Sequence, residues 1–261
     1  MTPRRKTSAR KLDAIRIVPI AAPAQLFDHV GGIAPTPPPQ LTYRGGPLLT
    51  EVEVYTVYLG KAWAARTLAA MARNIDKFFG FVLASDLIVG LSEYSTKSYR
   101  IAAGRFAGTT TIAEVELPAS VTDEWVRSKL VELTKPGSAL PPPSSNLLYF
   151  VYLPPGVSLV LGGSKSCQAF CGYHDQIDGK LFYAAMPYPN CNGCLGSLPA
   201  FQALTSTSSH ELCEAITDPI PGEGWYNDAN GEIGDICSWQ TRQEGEYTIQ
   251  LEWSNSDKRC R

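Results

Sequence analysis

No run of eighteen or more apolar residues occurs in this chain, so no segment reads as a membrane-spanning helix. Nor is there an excess of basic charge: 23 Lys and Arg stand against 25 Asp and Glu. The resulting net charge of −2 argues against a dedicated nucleic-acid binder, which needs a basic surface for the phosphates. No Gly-x-Ser-x-Gly elbow appears, which argues against a serine hydrolase of that kind, and no internal repeat is visible. Histidine is scarce. His29, His174 and His210 are the only three, so the third arm of any catalytic metal site is expected from a carboxylate.

What is present is a globular composition, 44% hydrophobic and 10% aromatic over 261 residues, enough for a substantial core. Arg4, Arg5, Lys6, Arg10 and Lys11 make a basic head. The apolar stretch Ile15 to Ala24 is broken by Arg16 and Pro19 and reads as part of a tail more than as a signal peptide. Residues 1–40, ending in Pro35-Thr36-Pro37-Pro38-Pro39, read as an extended basic, proline-rich arm with little structure of its own. Residues 41–261 read as a single metallopeptidase-like domain.

Within that domain Glu51 to Leu59 alternates and then turns apolar, as a strand entering a sheet would. Ala62 to Leu83 has helical apolar spacing, and Thr122 to Leu133 opens with a hydroxyl and two acids, as a capped helix does. Tyr99 to Leu117 suggests strand segments broken by Gly104 and Gly108. Leu147 to Leu153 reads as a buried strand, Lys180 to Met186 as an edge strand and Tyr247 to Trp253 as a final strand, with a surface connector at 136–145. The order predicts an α/β or α+β fold, a mixed sheet flanked by helices, with a cysteine-rich loop region.

The motif richest in chemistry is His210-Glu211-x-x-Glu214. On a helix, residues four apart share a face, so His210 and Glu214 can reach one ion. Glu211, about 100° away, is placed to deprotonate a water that the ion activates. This is the logic of the His-Glu-x-x-His helix of zinc peptidases, with a carboxylate in place of the second imidazole, and it makes the predicted sheet zincin-like. The competing structural reading is a Ser-capped helix whose acids sit in its first turn and favour the helix dipole.

A third ligand is sought in Asp228-Ala-Asn-Gly-Glu232-Ile-Gly-Asp235-Ile-Cys237, where Asp235, beside Cys237, is chosen over Glu232 and Asp228. Asp228-x-Asn230-x-Glu232 hints at calcium, but the rest of a twelve-residue loop is missing. His174 is read as hydrogen-bonded within a loop, Asp218 as bonding the backbone at the helix end, and Tyr226 as a possible oxyanion donor.

Cys167, Cys171, Cys191 and Cys194 form two close pairs, with Cys237 and Cys260 later and Cys213 inside the motif. Spacing alone leaves open a structural zinc or two disulfides. Ser166-Cys167-Gln-Ala-Phe-Cys171-Gly172-Tyr-His174, with Tyr183 and Cys191-Asn-Gly-Cys194, resembles the cysteine segment of the Exordium (phosphate-induced) family. Leu41-Thr-Tyr-Arg-Gly-Gly-Pro-Leu-Leu49, Ser92-Glu93-Tyr94 and Thr217-Asp218-Pro219 are similar to other segments of that family. Two departures matter: Cys191-x-x-Cys194 is one residue shorter than the plant spacing, and plant members do not carry the His-Glu-x-x-Glu helix. Bacterial relatives that carry the helix are the closer likeness. The resemblance implies a secreted or periplasmic protein, with the four cysteines bridged among themselves, Cys237 joined to Cys260, and Cys213 a free buried thiol.

The expectation is therefore a zinc-dependent peptidase acting on a polypeptide, with His210, Glu214 and Asp235 as ligands to Zn²⁺ and Glu211 as general base. Two anionic ligands weaken the Lewis acidity of the ion, so modest turnover or an optimum above neutrality is expected. The alternative is a non-catalytic secreted protein on an Exordium-like scaffold that binds cell-wall carbohydrate or a protein partner.

Overall fold

The structure, a computed structural model, describes residues 17–21 and 38–261. Six strands, β1 (Ile17–Pro19), β2 (Glu53–Leu59), β3 (Arg105–Ile112), β4 (Leu147–Tyr152), β5 (Phe170–Ile177) and β6 (Leu181–Met186), form one sheet in the order β1-β5-β6-β4-β2-β3. β6, β4, β2 and β3 run parallel, and β5 is antiparallel to both its neighbours. The sheet is therefore mixed.

Strand side chains alternate between faces, and the two faces have different partners. Leu148, Phe150 and Tyr152 pack with Ile75, Phe78 and Phe79 of α1 (Arg66–Val82) and Leu204, Leu212 and Ile216 of α3 (Ala200–Thr217). Tyr149 and Val151 face Val126 and Leu130 of α2 (Asp123–Leu133) on the opposite side. Three layers result. Thr122 caps α2 through its hydroxyl, which accepts from the Trp125 N–H at 3.2 Å.

Several expectations need correction. The arm is not wholly without structure, because Ile17–Pro19 pairs antiparallel with the β5 edge and the Trp239 indole donates to the Pro19 carbonyl at 2.9 Å. The basic head and the proline run up to Pro37 lie outside the described residues. Lys180 to Met186 is an interior strand, since β5 stands between it and the sheet edge. Part of the segment read as a cysteine-rich loop region, Phe170 to Ile177, is β5 itself. Gly108 does not break its strand but follows a bulge at Ala107, the extra residue between Phe106, opposite Val54, and Gly108, opposite Tyr55. Tyr247 to Gln250 (β8) pairs with Thr241–Glu244 (β7) in a separate hairpin rather than joining the main sheet.

Three disulfides are formed, Cys167–Cys191, Cys171–Cys194 and Cys237–Cys260, and Cys213 is a buried free thiol. The four clustered cysteines are thus bridged in pairs. No helix among the described residues is long and apolar enough to cross a membrane.

Helix α3 lies in the middle of this assembly, against β5, β6 and the β7–β8 hairpin, and is buried from Ala203 to Thr217. It starts at Ala200, so the serines and threonines expected to lead into it form its interior. Their hydroxyls are spent on neighbours: Thr205 donates to the Thr248 carbonyl at 2.7 Å, and Ser209 accepts from the Gln250 N–H at 2.9 Å. Gly172 on β5 permits the close approach, since a Cβ there would meet Thr207 at 2.9 Å.

Candidate metal centre

Starting α3 two turns earlier places Glu211 and Glu214 towards its C-terminal end. A carboxylate is disfavoured there by the helix dipole. The dipole argument for a purely structural acidic first turn therefore does not hold. Something else must offset the burial of these acids.

His210, Glu211 and Glu214 are completely buried, as are His174 and Glu232. The Nε2 of His210 lies 2.9 Å from Oε1 of Glu214 and 4.0 Å from Oδ1 of Asp235. The His210–Glu214 approach lacks hydrogen-bond alignment, because neither ring nitrogen of His210 has a hydrogen-bond partner. Two atoms that are near but not aimed at each other are placed as ligands of a shared ion would be. Ligand atoms of His210, Glu214 and Asp235 all lie within 4.8 Å of one another. Tetrahedral ligands at about 2.0–2.1 Å from zinc stand roughly 3.3–3.4 Å apart, inside the observed spread.

Asp235 is held from two sides. It opens a short 3₁₀ turn that ends at Cys237, which is bridged to Cys260. Its N–H donates to Glu214 Oε1 at 3.1 Å, and its Oδ2 accepts from the Glu232 N–H at 3.0 Å. The turn approaches α3 closely through Gly234, where a Cβ would stand 2.9 Å from the His210 ring and 3.0 Å from Glu214 Oε1.

A second group of potential ligands converges on the same Glu214. His174 Nδ1 lies 3.1 Å from Glu211 Oε2 and 3.5 Å from Glu214 Oε2, and its Nε2 lies 3.1 Å from the Asp218 carbonyl oxygen. Glu232 Oε1 is 3.4 Å from that Nε2. His174 thus belongs to a strand and to the buried cluster, where a loop position was expected. Asp218 caps the helix end as expected, its carboxylate accepting from the Gly222 N–H at 2.6 Å and the Glu223 N–H at 3.0 Å.

The electrostatics are severe. Without a cation, burial favours a neutral His210, but Glu214 above all, then Glu211 and Asp235, hold its pKa well above the ordinary value. His174 is raised likewise, against burial, by Glu232, Glu211 and Glu214. Burial and then Glu214 push the Asp235 carboxyl up to about 8. Burial also raises Glu211 and carries Glu232 well above the usual carboxylate range. Glu211 Oε1, Glu214 Oε2 and both Glu232 oxygens accept no hydrogen bond. Buried acids without partners are costly, and a divalent cation satisfies them. The donor set of imidazole nitrogen and carboxylate oxygen fits zinc.

Other candidates fall elsewhere. Asp228 is 93% exposed and pairs with Arg44 at 2.6 Å, so it does not share a calcium loop with the buried Glu232. Tyr226 sits on a two-strand ribbon with Thr42, and the Arg44 guanidinium stacks 4.4 Å from its ring centroid. No family model, curated protein or solved structure matches this chain.

Sequence reasoning undervalued His174 and Glu232 and did not single out Glu252, which is buried with both oxygens lacking a hydrogen-bond partner. The signal for His174 was Asp178-Gly179, a hairpin dipeptide with both residues at positive φ, directly after β5. Read as a hairpin, it makes 170–177 a strand, with Gly172 and His174 on the face that meets α3.

Proposed function

We propose that this chain is a zinc-dependent peptidase of zincin-like architecture, with His210, Glu214 and Asp235 as ligands and Glu211 as general base. The observation that carries the reading is the convergence of those three ligand groups, with both ring nitrogens of the buried His210 lacking a hydrogen-bond partner. A zinc ion held there supplies Lewis acidity towards a scissile carbonyl and acidifies a water.

The residues of the chain do the rest. Glu211 presents Oε1, which has no partner, as the acceptor of the water's proton, while Oε2 lies 3.1 Å from His174 Nδ1. The Asp218 carbonyl orients His174, and the Cys237–Cys260 bridge fixes the turn that carries Asp235.

The same reading includes the Exordium-like scaffold and a secreted or periplasmic location. Three disulfides support an oxidising compartment.

One observation favours a second reading. His210 and Glu214 are completely buried and Asp235 keeps only slight exposure, as in a structural site, so a polypeptide reaches them only if covering segments move aside. In that case the protein is a non-catalytic, Exordium-like binder of carbohydrate or a protein partner. Metal analysis combined with cleavage of a denatured protein separates the two. The peptidase reading requires zinc-dependent cleavage, abolished in Glu211→Gln with zinc still bound at His210. Metal bound without any hydrolysis leaves only the binder.

A further inference from the structure

We infer that the chain holds a second divalent cation, on His174 Nδ1, Glu211 Oε2 and Glu214 Oε2, bridged to the first through the Glu214 carboxylate. The inference rests on the proposed zinc site only in sharing Glu214. Three observations lead to it.

The first is the state of His174. The Asp218 carbonyl oxygen can only accept, so Nε2 is the nitrogen that donates to it, at 3.1 Å. A backbone carbonyl on the far nitrogen is the usual support of a metal-bound imidazole. In that tautomer Nδ1 presents a lone pair, yet it faces two carboxylate oxygens at 3.1 and 3.5 Å. Acceptors facing acceptors at that range need a positive charge between them. The separations bracket the roughly 3.3–3.4 Å expected around a tetrahedral ion.

The second is the way Glu214 divides its oxygens. Oε1 lies beside His210 and accepts from the Asp235 N–H, whereas Oε2 is aimed at His174 and has no hydrogen-bond partner in a completely buried position. One carboxylate between two imidazole-bearing groups is the geometry of a bridging ligand. Bridged pairs of catalytic cations stand about 3.5–4 Å apart.

The third is charge. Glu211, Glu214, Glu232 and Asp235 surround two imidazoles, and no Lys or Arg forms an ion pair with any of the four among the described residues. One divalent ion leaves part of this negative charge uncompensated in a dry interior, and a second ion reduces it. Imidazole with carboxylates suits first-row divalent ions such as Zn²⁺ or Mn²⁺.

The competing occupant of the second position is a proton on His174 Nδ1. The test uses the full chain, stripped with a chelator, dialysed against Zn²⁺ and assayed for metal per chain by mass spectrometry, with circular dichroism to verify folding. Wild type is expected to hold two equivalents. His174→Ala is expected to hold one, and Glu211→Gln, which preserves shape, is also expected to keep one, so the inference does not depend on a single variant folding. One equivalent in the wild type, unchanged in both variants, overturns the second site and leaves the first intact. No metal in the wild type removes both sites.

Discussion

His210 Nε2 and Glu214 Oε1 stand 2.9 Å apart in the buried last turns of α3 without the alignment of a hydrogen bond. Their closeness follows from the (i, i+4) spacing, and the proposed zinc site accounts for their lack of alignment. Within the proposed zinc site, removing the charge of Glu214 removes a ligand as well as the partner of His210. In Glu214→Gln, zinc affinity is expected to fall by more than the roughly 10–100-fold typical of a lost outer partner. Competition with a chelating dye measures it.

The proposed metal uptake is expected to depend on pH. In the metal-free protein His210 is held well above its ordinary pKa, chiefly by Glu214 against burial, and Asp235 is pushed up to about 8 by burial and then Glu214. Both groups hold protons below those values and must release them to ligate. Apparent zinc affinity should therefore rise with pH, and the dependence should flatten above about pH 8 for the Asp235 proton. Proton release on binding, followed by calorimetry in buffers of different ionisation enthalpy, tests the sign.

Gly234 is expected to tolerate no side chain. A Cβ there meets the His210 ring at 2.9 Å and Glu214 Oε1 at 3.0 Å, both immobilised in a packed helix. Gly234→Ala should lower stability by about 1–3 kcal/mol and weaken metal binding together. Denaturant unfolding with and without chelator measures both effects.

Glu252 lies buried beside the Cys213 thiol, near enough to His210 and Glu214 for their charges to act on it. Burial first, and neighbouring carboxylates next, hold its pKa well above the usual range. A raised carboxyl pKa contributes stability that is fully present below the unfolded value of about 4.3 and is lost as pH rises through the folded value. Glu252→Gln imitates the protonated form. It should be close to neutral in stability at pH 4–5 and stabilising by about 1–3 kcal/mol at alkaline pH. Thermal unfolding across that range tests the crossover.

The Cys237–Cys260 bridge should couple chain stability to the ligand turn. Replacing both cysteines with serine is expected to cost about 2–4 kcal/mol of stability. Because Cys237 ends the turn that Asp235 opens, zinc affinity should fall too, measured by the same dye competition.

Much of this was legible from periodicity. The strands at 53–59 and 147–152 and the helices at 66–82 and 123–133 follow from alternation, apolar spacing and the Thr122 cap. The pairing of cysteines was not legible from spacing, because only the hairpin of β5 and β6 and the turn at 191–194 bring Cys167 to Cys191 and Cys171 to Cys194. The start of α3 was misread because Thr and Ser ordinarily cap helices, whereas here their hydroxyls bond to β8 and β4, Ser208 with Tyr152 at 2.7 Å. β1 pairs with residues about 150 positions away, a contact no local pattern encodes. Glu232 and Asp235 both lie in a loop whose direction depends on the distant Cys260 bridge, so local sequence could favour one acid but could not bring both to α3.

The most direct test is anomalous scattering at the zinc edge from crystals grown with Zn²⁺. A peak about 2.0–2.2 Å from His210 Nε2, Glu214 Oε1 and Asp235 Oδ1 is the predicted result. Crystals containing ordered zinc elsewhere, or none, with those three groups bonded only to protein atoms, would contradict the account.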